Sequence, residues 1–468
     1  MKFIKKYWLI ILSVIIILPS IWPLFRSDFF RMHDWTHVAR LVELDLALKA
    51  GQIPPRWAPD LGWGYGMPLL HFYNPLPYYF AEALYLIKLP AVWAIKTVFA
   101  LNFLFGFYFM YLWAKTFWGK YGALVAATAF TYLPYRAVDF YVRGTLSELT
   151  AMTFLPLLFY ALKKKKLILT ALAWTGIFLS HNIIALFSLF FIPLYFLFNL
   201  KLWKKFLLVS ILTFGLSAFF ILPAFLEKDL TVVSTLSEGY SHYSLHFIYL
   251  RQLVSRAWGY GGSILGPWDD ISFQLGWPHL ILVLPTLWFW KKLKYYLLAF
   301  AVAIFMMTFH SQFVWDKIPL LAMAQFPWRL LTFAATFVAF FSGSLFYWLK
   351  NKLVALVLIV LIIALNWQYF RPEKFSPVND YYYTDRQRIA TEMSNVLPDY
   401  LPKTAVKPAQ PRDINGPMKQ FDFPTVRVSD NGMLEFTKTP LESWSDIISL
   451  LSWLGLLVYA VRFYRTRA

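Results

Sequence analysis

The sequence predicts an all-helical protein that crosses a membrane many times. Three observations lead there. Hydrophobic residues make up 59% of the 468 and charged residues 15%, against about 25% charged in a soluble domain. Apolar runs recur along the chain, and the first, at 7–25, has about the roughly 20 residues that a bilayer crossing takes. The Lys and Arg behind the net charge of +19 sit in small clusters between those runs, the habit of cytoplasmic loops. With no basic soluble domain, glycine-rich phosphate loop or internal repeat, the expected partner is the lipid bilayer and not nucleic acid. The absence of cysteine excludes disulfides, thiolate catalysis and Cys-ligated zinc or iron–sulfur centres.

Taken in order, the first apolar run follows Lys2, Lys5 and Lys6. It is too long for an ordinary signal-peptide core and no small-x-small cleavage site follows it, so it reads as a retained anchor with its N-terminus inside. Residues 34–50 read as an interfacial helix: Asp34, His37, Arg40 and Glu43 recur every three residues on one side, while Trp35, Val38, Leu41, Val42 and Leu46 form an apolar stripe. A turn-rich stretch from Gly51 to Tyr73 leads to 74–89. That segment is short, opens with Asn74-Pro75-Leu76-Pro77 and carries Glu82, and so reads as a second interfacial helix. Apolar segments then follow at about 91–114, 120–136, 148–162, 167–181, 183–199, 205–225, 278–291, 295–310, 328–349, 353–370 and 445–462, twelve with the first.

Basic residues fill alternate connections. They are Lys115 and Lys120, Lys163 to Lys166, Lys201, Lys204 and Lys205, Lys291, Lys292 and Lys294, Lys350 and Lys352, and the tail Arg462, Arg465 and Arg467. With the three N-terminal lysines that side holds 20 basic residues and no acidic one, so all 25 Asp and Glu fall to the other side or its edge. The positive-inside rule then puts both termini in the cytoplasm of a multi-pass protein of the cell membrane. A transmembrane module at 1–370 is expected, with outer loops 26–90, 137–147, 227–277 and 311–327. A small mixed α/β extracytoplasmic domain follows at 371–443, then a final helix and cytoplasmic tail at 444–468. In that domain Thr425-Val426-Arg427-Val428 and Met433-Leu434-Glu435-Phe436 flank Asp430-Asn431-Gly432, a hairpin signal.

Threaded this way, the unusual polar residues gather on the outer face. His33, Asp34, His37, Arg40, Arg56, His71 and Tyr73 lie in the first loop, and Asp139, Arg143 and Glu148 in the next. His181-Asn182 forms the outer turn of a helical hairpin, and Gln325-Phe326-Pro327-Trp328-Arg329 opens a helix from outside. The inner side offers only solvated lysines, so any chemistry is external.

One helix, a long outer loop with an acidic residue and two interfacial helices, then a multi-helix bundle: this layout resembles the GT-C superfamily of polyprenyl-phosphate-sugar glycosyltransferases. The wording is more similar still to bacterial membrane proteins labelled 6-pyruvoyl-tetrahydropterin synthase-related. The matching stretches are His33-Asp34 through Arg40, Gly51-Gln52-Ile53-Pro54-Pro55-Arg56-Trp57, Gly64-Tyr65-Gly66-Met67-Pro68, Phe72-Tyr73-Asn74-Pro75-Leu76, Arg143-Gly144 with Glu148, Ser180-His181-Asn182 and Gln325 through Arg329. The label is no guide to function, because a soluble zinc-bound pterin enzyme has no place in such a bundle.

The resemblance implies transfer of a sugar from a polyprenyl-phosphate donor to an extracytoplasmic glycan, lipid or protein acceptor, with inversion. Asp34 would be the general base, with Arg143, Arg329, Glu148, His71, Tyr73, His37, Arg40, Arg56 and His181 binding donor phosphate or substrate. GT-C enzymes use an outer-loop acid on the acceptor or on a divalent metal. Here Asp34 follows His33 in place of a second acid, so a Mg or Mn ion on His33, Asp34 and His37 is the lesser expectation.

Structural readings stand beside these. Asp34 can cap the following helix, and Arg143 with Glu148 can form an ion pair across a short loop. His181-Asn182 can serve the turn alone, and Arg329 can anchor the helix end beside Trp328. A rival function is a non-catalytic lipid-glycan transporter or assembly factor. Transporters, however, show internal repeats and broken or charged helices at the midplane, and neither is evident.

Overall fold

A computed structural model describes residues 2–235, 238–396 and 398–465. Of the expected inner cluster, Arg467 lies outside the described residues, as do the side chains of Lys2, Lys5, Lys6 and Arg465. The chain is mostly helical, and among the described residues six helices are long and apolar enough to cross a membrane: Tyr7–Phe25, Ala91–Thr131, Leu200–Leu226, Pro327–Tyr347, Lys352–Tyr369 and Pro440–Arg462. It is a membrane protein.

The expected segments 91–114 and 120–136 correspond to the two helices merged as Ala91–Thr131, which turns at Gly119 with φ 71°, a conformation that glycine adopts without a Cβ penalty. The remaining expected segments form shorter or less apolar helices: Leu146–Lys163, Leu167–Ser180, Asn182–Leu197, Trp277–Val283 and Trp290–Met306. Where one helix was expected at 278–291, the α-helix stops at Val283 and a 3-10 stretch, Leu284–Phe289, takes over. Pro285 lacks an N–H and its ring crowds the preceding turn, so a regular helix does not continue through it.

The chain groups into two units. The first comprises 1–35, 96–203 and 237–377, the second 36–95, 204–236 and 378–468. Most of the stretch 371–443, expected as a small domain of its own, thus shares a unit with the first loop and with 204–236.

The first unit is built on aromatic packing. Leu331–Phe341 is buried along its whole length. Trp113 stacks on Phe340 with centroids 4.0 Å apart, and the Trp118 indole N–H donates to the Phe340 carbonyl at 2.8 Å. Stacked pairs of this kind add about 0.5–1.5 kcal/mol beyond burial. Phe29–Phe30 forms a two-residue antiparallel ladder with Phe375–Ser376, which fixes the chain just ahead of His33.

In the second unit the reading of 34–50 as an interfacial helix needs correction. The helix is His37–Lys49, and its polar side is buried along with its apolar stripe: His37, Arg40 and Glu43 are all within the core. Each has a partner there. The His37 ring and the Arg40 guanidinium meet the Tyr78 hydroxyl at 2.8 and 3.2 Å, and Glu43 accepts the Asp60 N–H at 3.0 Å. Asp60 is itself gripped by the two-pronged guanidinium of Arg386 at 2.5 and 2.8 Å. Burial, and then the Asp60 carboxylate, push Glu43 well above the usual carboxylate range. The expected hairpin is present, Val426–Val428 pairing with Leu434–Phe436, and Val426 packs with Trp57 and Phe423 in a small core.

Candidate functional site

Asp34 is held by the segment that follows the second half of the long helix. Pro134–Ala137 runs into a wide π turn, Val138–Val142, where the Arg143 N–H reaches back to the Val138 carbonyl at 2.9 Å. The carbonyls of Val142 and Arg143 then accept the N–H groups of His33 and Asp34 at 3.0 and 2.9 Å. Gly144 follows with φ 65°, and a Cβ there would run into Met32, so this close approach requires glycine. Asp34 is half-buried and His33 exposed. The N-cap position of the next helix is Thr36.

Beneath this backbone pairing lies a buried ion network. The Arg143 guanidinium lies 2.5 Å from Asp139 and 2.9 Å from Glu148, with its face over the Trp328 ring at 4.6 Å. Glu148 also accepts from the hydroxyls of Tyr135 at 2.7 Å and Thr332 at 2.9 Å. Arg329 and His181 stand at its edge, 3.9 and 4.0 Å from the same carboxylate. The Arg329 Nη1 donates to the Ala324 carbonyl at 3.1 Å, whereas its buried Nε has no hydrogen-bond partner. His181 caps Asn182–Leu197 by accepting the Ile184 N–H at 3.3 Å. Burial opposes charge on Arg143, yet Glu148 and Asp139 hold it protonated above its usual range. For Asp139, burial and then Glu148 push the carboxyl well above the ordinary aspartate range.

Arg143 thus meets two carboxylates through Nη1 and an indole ring through its face. Its role here is to fix the loop whose carbonyl holds Asp34. Arg329 keeps an unsatisfied nitrogen beside the same network.

Next to His33 opens a cleft of about 430 Å³ whose wall includes Arg31, His33, Val142, Tyr260, Asp270 and Glu373. The His33 Nε2 donates to the Tyr260 carbonyl at 2.8 Å. Asp270 lies so close under Gly259 and Gly261 that a Cβ on either would strike its carboxylate, and the Gly261 N–H donates to the Asp270 carbonyl at 2.7 Å. A volume of this size suits a small ligand, and exposed acids beside Arg31 and the His33 ring give hydrogen-bonding partners for a polyol. Sequence reasoning marked Gly259-Tyr260-Gly261-Gly262 and Asp269-Asp270 only as loop features, and it passed over Arg31 and Glu373.

The other expected site residues lie in the second unit. His37, Arg40 and Tyr73 join Tyr78, with Arg40 over the Tyr73 ring at 4.2 Å. Arg56 and His71 form a separate acidic cluster. There His71 Nε2 lies 2.9 Å from Glu227 and Nδ1 3.2 Å from Glu442, while Arg56 reaches Asp446 at 2.9 Å and Glu442 at 3.5 Å. The His33 Nε2 is turned to the Tyr260 carbonyl and the His37 Nδ1 to the Tyr78 hydroxyl. Among the described residues the group with metal-ligand spacing is His71, Glu227 and Glu442. Its two acids carried no sequence signal, because each reads as the polar edge of a membrane helix.

No family model matches the chain. An "Uncharacterized protein" of Lactococcus lactis subsp. cremoris (strain MG1363) is 28% identical over 246 residues, which cover 47% of this chain and 40% of that protein. Among solved structures, mycobacterial arabinofuranosyltransferase AftD is similar with TM-score 0.47 and 14% identity, over 81% of this chain and 28% of that one. A mutant form of AftD gives 0.47 and 12%, over 80% and 29%. The chain thus spans well under two thirds of each of these proteins, and likenesses this distant transfer neither activity nor ligand.

Proposed function

We propose that the chain is a GT-C-type membrane glycosyltransferase that moves a sugar from a polyprenyl-phosphate donor to an extracytoplasmic acceptor, with Asp34 as general base. The single observation that carries this reading is the fixed position of Asp34. Its N–H is bonded to Arg143 over a buried ion network, and its neighbour His33 lines an open cleft. A half-buried carboxylate on a rigid support beside a ligand-sized cleft is what proton abstraction from a sugar or lipid hydroxyl needs.

In the step proposed, the acceptor oxygen attacks the anomeric carbon, Asp34 takes its proton, and the polyprenyl phosphate leaves with the bonding electron pair, inverting the centre. Lipid phosphate is a good leaving group and needs positive charge more than a proton. Arg329, with its unpaired Nε, supplies that charge, since guanidinium matches phosphate oxygens in pairs. Arg143 and Glu148 act as positioning residues, and His181 caps its helix at the network's edge.

The test is turnover of purified protein on a panel of polyprenyl-phosphate sugars, comparing wild type with Asp34→Asn. The variant keeps shape but cannot take a proton, so transfer is expected to fall by about 10²–10⁴-fold with folding and donor binding unchanged. Equal turnover in the variant would remove Asp34 from this role. No turnover by wild type across the panel would favour the lipid-glycan transporter.

A further inference from the structure

We propose that His71, Glu227 and Glu442 bind one divalent transition-metal ion, zinc or manganese, apart from the Asp34 site. The three residues come from a short helix of the first loop, Leu69–Phe72, from the end of Trp203–Leu226, and from the first turn of Pro440–Arg465. Their ligand atoms lie within 4.8 Å of one another. His71 and Glu442 are buried to within about a hundredth of their surface.

Each carboxylate already has one oxygen engaged, and by the same residue. The Thr439 hydroxyl donates to Glu227 Oε1 at 2.7 Å, and the Thr439 N–H to Glu442 Oε2 at 2.8 Å. The Glu442 N–H returns to the Thr439 hydroxyl at 3.1 Å, completing a capping box on the last helix. That accounts for Oε1 of Glu227 and Oε2 of Glu442. Their other oxygens, together with both ring nitrogens of His71, are buried and make no hydrogen bond of acceptable geometry.

The ring nitrogens do stand 2.9 and 3.2 Å from those two oxygens, yet neither contact meets the geometry of a hydrogen bond. An imidazolium strut between two carboxylates would hydrogen-bond to both. Spacing near 3 Å is instead what two ligands around one ion show, with each ligand about 2.0–2.2 Å from the metal. Charge points the same way. Glu227, Glu442 and Asp446 face Arg56 and Lys438, which pair with Asp446 at 2.9 and 2.6 Å. Three carboxylates thus face two permanent cations. An imidazole in the ligand set favours zinc or manganese over calcium, which prefers oxygen alone. The ion would tie together three segments far apart in sequence.

The test uses the full chain in detergent, stripped with a chelator and titrated separately with Zn²⁺, Mn²⁺ and Mg²⁺. Bound metal is read by elemental analysis after gel filtration and by the thermal unfolding midpoint. One equivalent of Zn²⁺ or Mn²⁺ per chain is expected, with a rise in midpoint that His71→Asn and Glu227→Gln abolish. Thr439→Val removes the hydroxyl that orients the Glu227 carboxylate and should weaken binding by about 10–100-fold. Asp34→Asn should bind as wild type, which separates this site from the proposed base. Glu227→Gln lies at the half-exposed edge and leaves the capping box intact, so it reports binding even if His71→Asn fails to fold. Failure to retain an equivalent, or undiminished binding by Glu227→Gln, would overturn the proposal. So would an unfolding midpoint indifferent to metal that falls as pH rises through the histidine range in wild type alone, the mark of an imidazolium strut.

Discussion

The backbone N–H of Asp34 donates to the carbonyl of Arg143 at 2.9 Å. The bond joins the chain beyond the first helix to the loop before Leu146–Lys163, and it stands on a guanidinium that two carboxylates clamp. Asp34 is therefore only as well placed as the Arg143 network allows.

Glu148→Gln tests that dependence. It removes one carboxylate from a fully buried arginine, and breaking such a pair costs about 3–5 kcal/mol. The unfolding midpoint in detergent should fall sharply, and turnover should fall in whatever protein folds. Thr332→Val removes one hydroxyl from the same carboxylate and should cost about 1 kcal/mol. Equal midpoints for Glu148→Gln and wild type would show that the network does not hold the loop.

The sequence made local features legible and left tertiary partners hidden. Asp430-Asn431-Gly432 announces its hairpin because turn chemistry is local, and the break near Gly119 shows in the neighbouring Lys115 and Lys120. The alternation of Asp34, His37, Arg40 and Glu43 correctly marked a helix, but a spacing pattern does not reveal that Tyr78 and the Asp60 N–H wait on the polar side. The same limit hid the partners of His71, since Glu227 and Glu442 are brought to it only by the fold. Arg143 and Glu148 were legible as a pair because five positions separate them. The identity of their further partners, Tyr135, Thr332 and Trp328, was not.

Glu82 gives a prediction in pH. Both its carboxylate oxygens are buried without a hydrogen-bond partner. Burial, and then Asp45, lift it from 4.5 to about 7. The folded state then holds a proton that the unfolded chain releases near pH 4.5, so stability from this group is present below about 4.5 and is lost as pH rises to about 7. Glu82→Gln should flatten the decline in unfolding midpoint across that window. A slope identical to wild type would count against it.

The absence of cysteine makes single-cysteine labelling clean, and topology follows from the excess of lysine in alternate connections. Ala257, Asp413 and Lys164 are all exposed. A membrane-impermeant thiol reagent added outside intact cells should modify cysteine at Ala257 and Asp413 and spare it at Lys164 until the membrane is opened. Labelling at Lys164 from outside would reverse the orientation and move the proposed site to the cytoplasm.

Arg143 and Arg329 should behave differently although they flank one carboxylate. Arg143 is the more heavily paired: its Nη1 meets Asp139, Glu148 and, at 3.4 Å, the Tyr135 hydroxyl, and its face lies over the Trp328 ring. Arg143→Ala leaves Asp139 and Glu148 buried without their cation, so the expected loss is of fold, about 3–5 kcal/mol, with activity lost in proportion to folded protein. Arg329 makes one hydrogen bond, to the Ala324 carbonyl, and keeps Nε unpaired. Arg329→Ala should therefore lower the midpoint by less than Arg143→Ala does and raise KM for the lipid-linked donor, with a smaller effect on the acceptor. Arg329→Lys restores charge without the planar fork and should recover part of donor binding. Steady-state kinetics with donor and acceptor varied separately, beside unfolding midpoints for all three variants, separate the two roles. Donor KM unchanged in folded Arg329→Ala would take the phosphate away from Arg329.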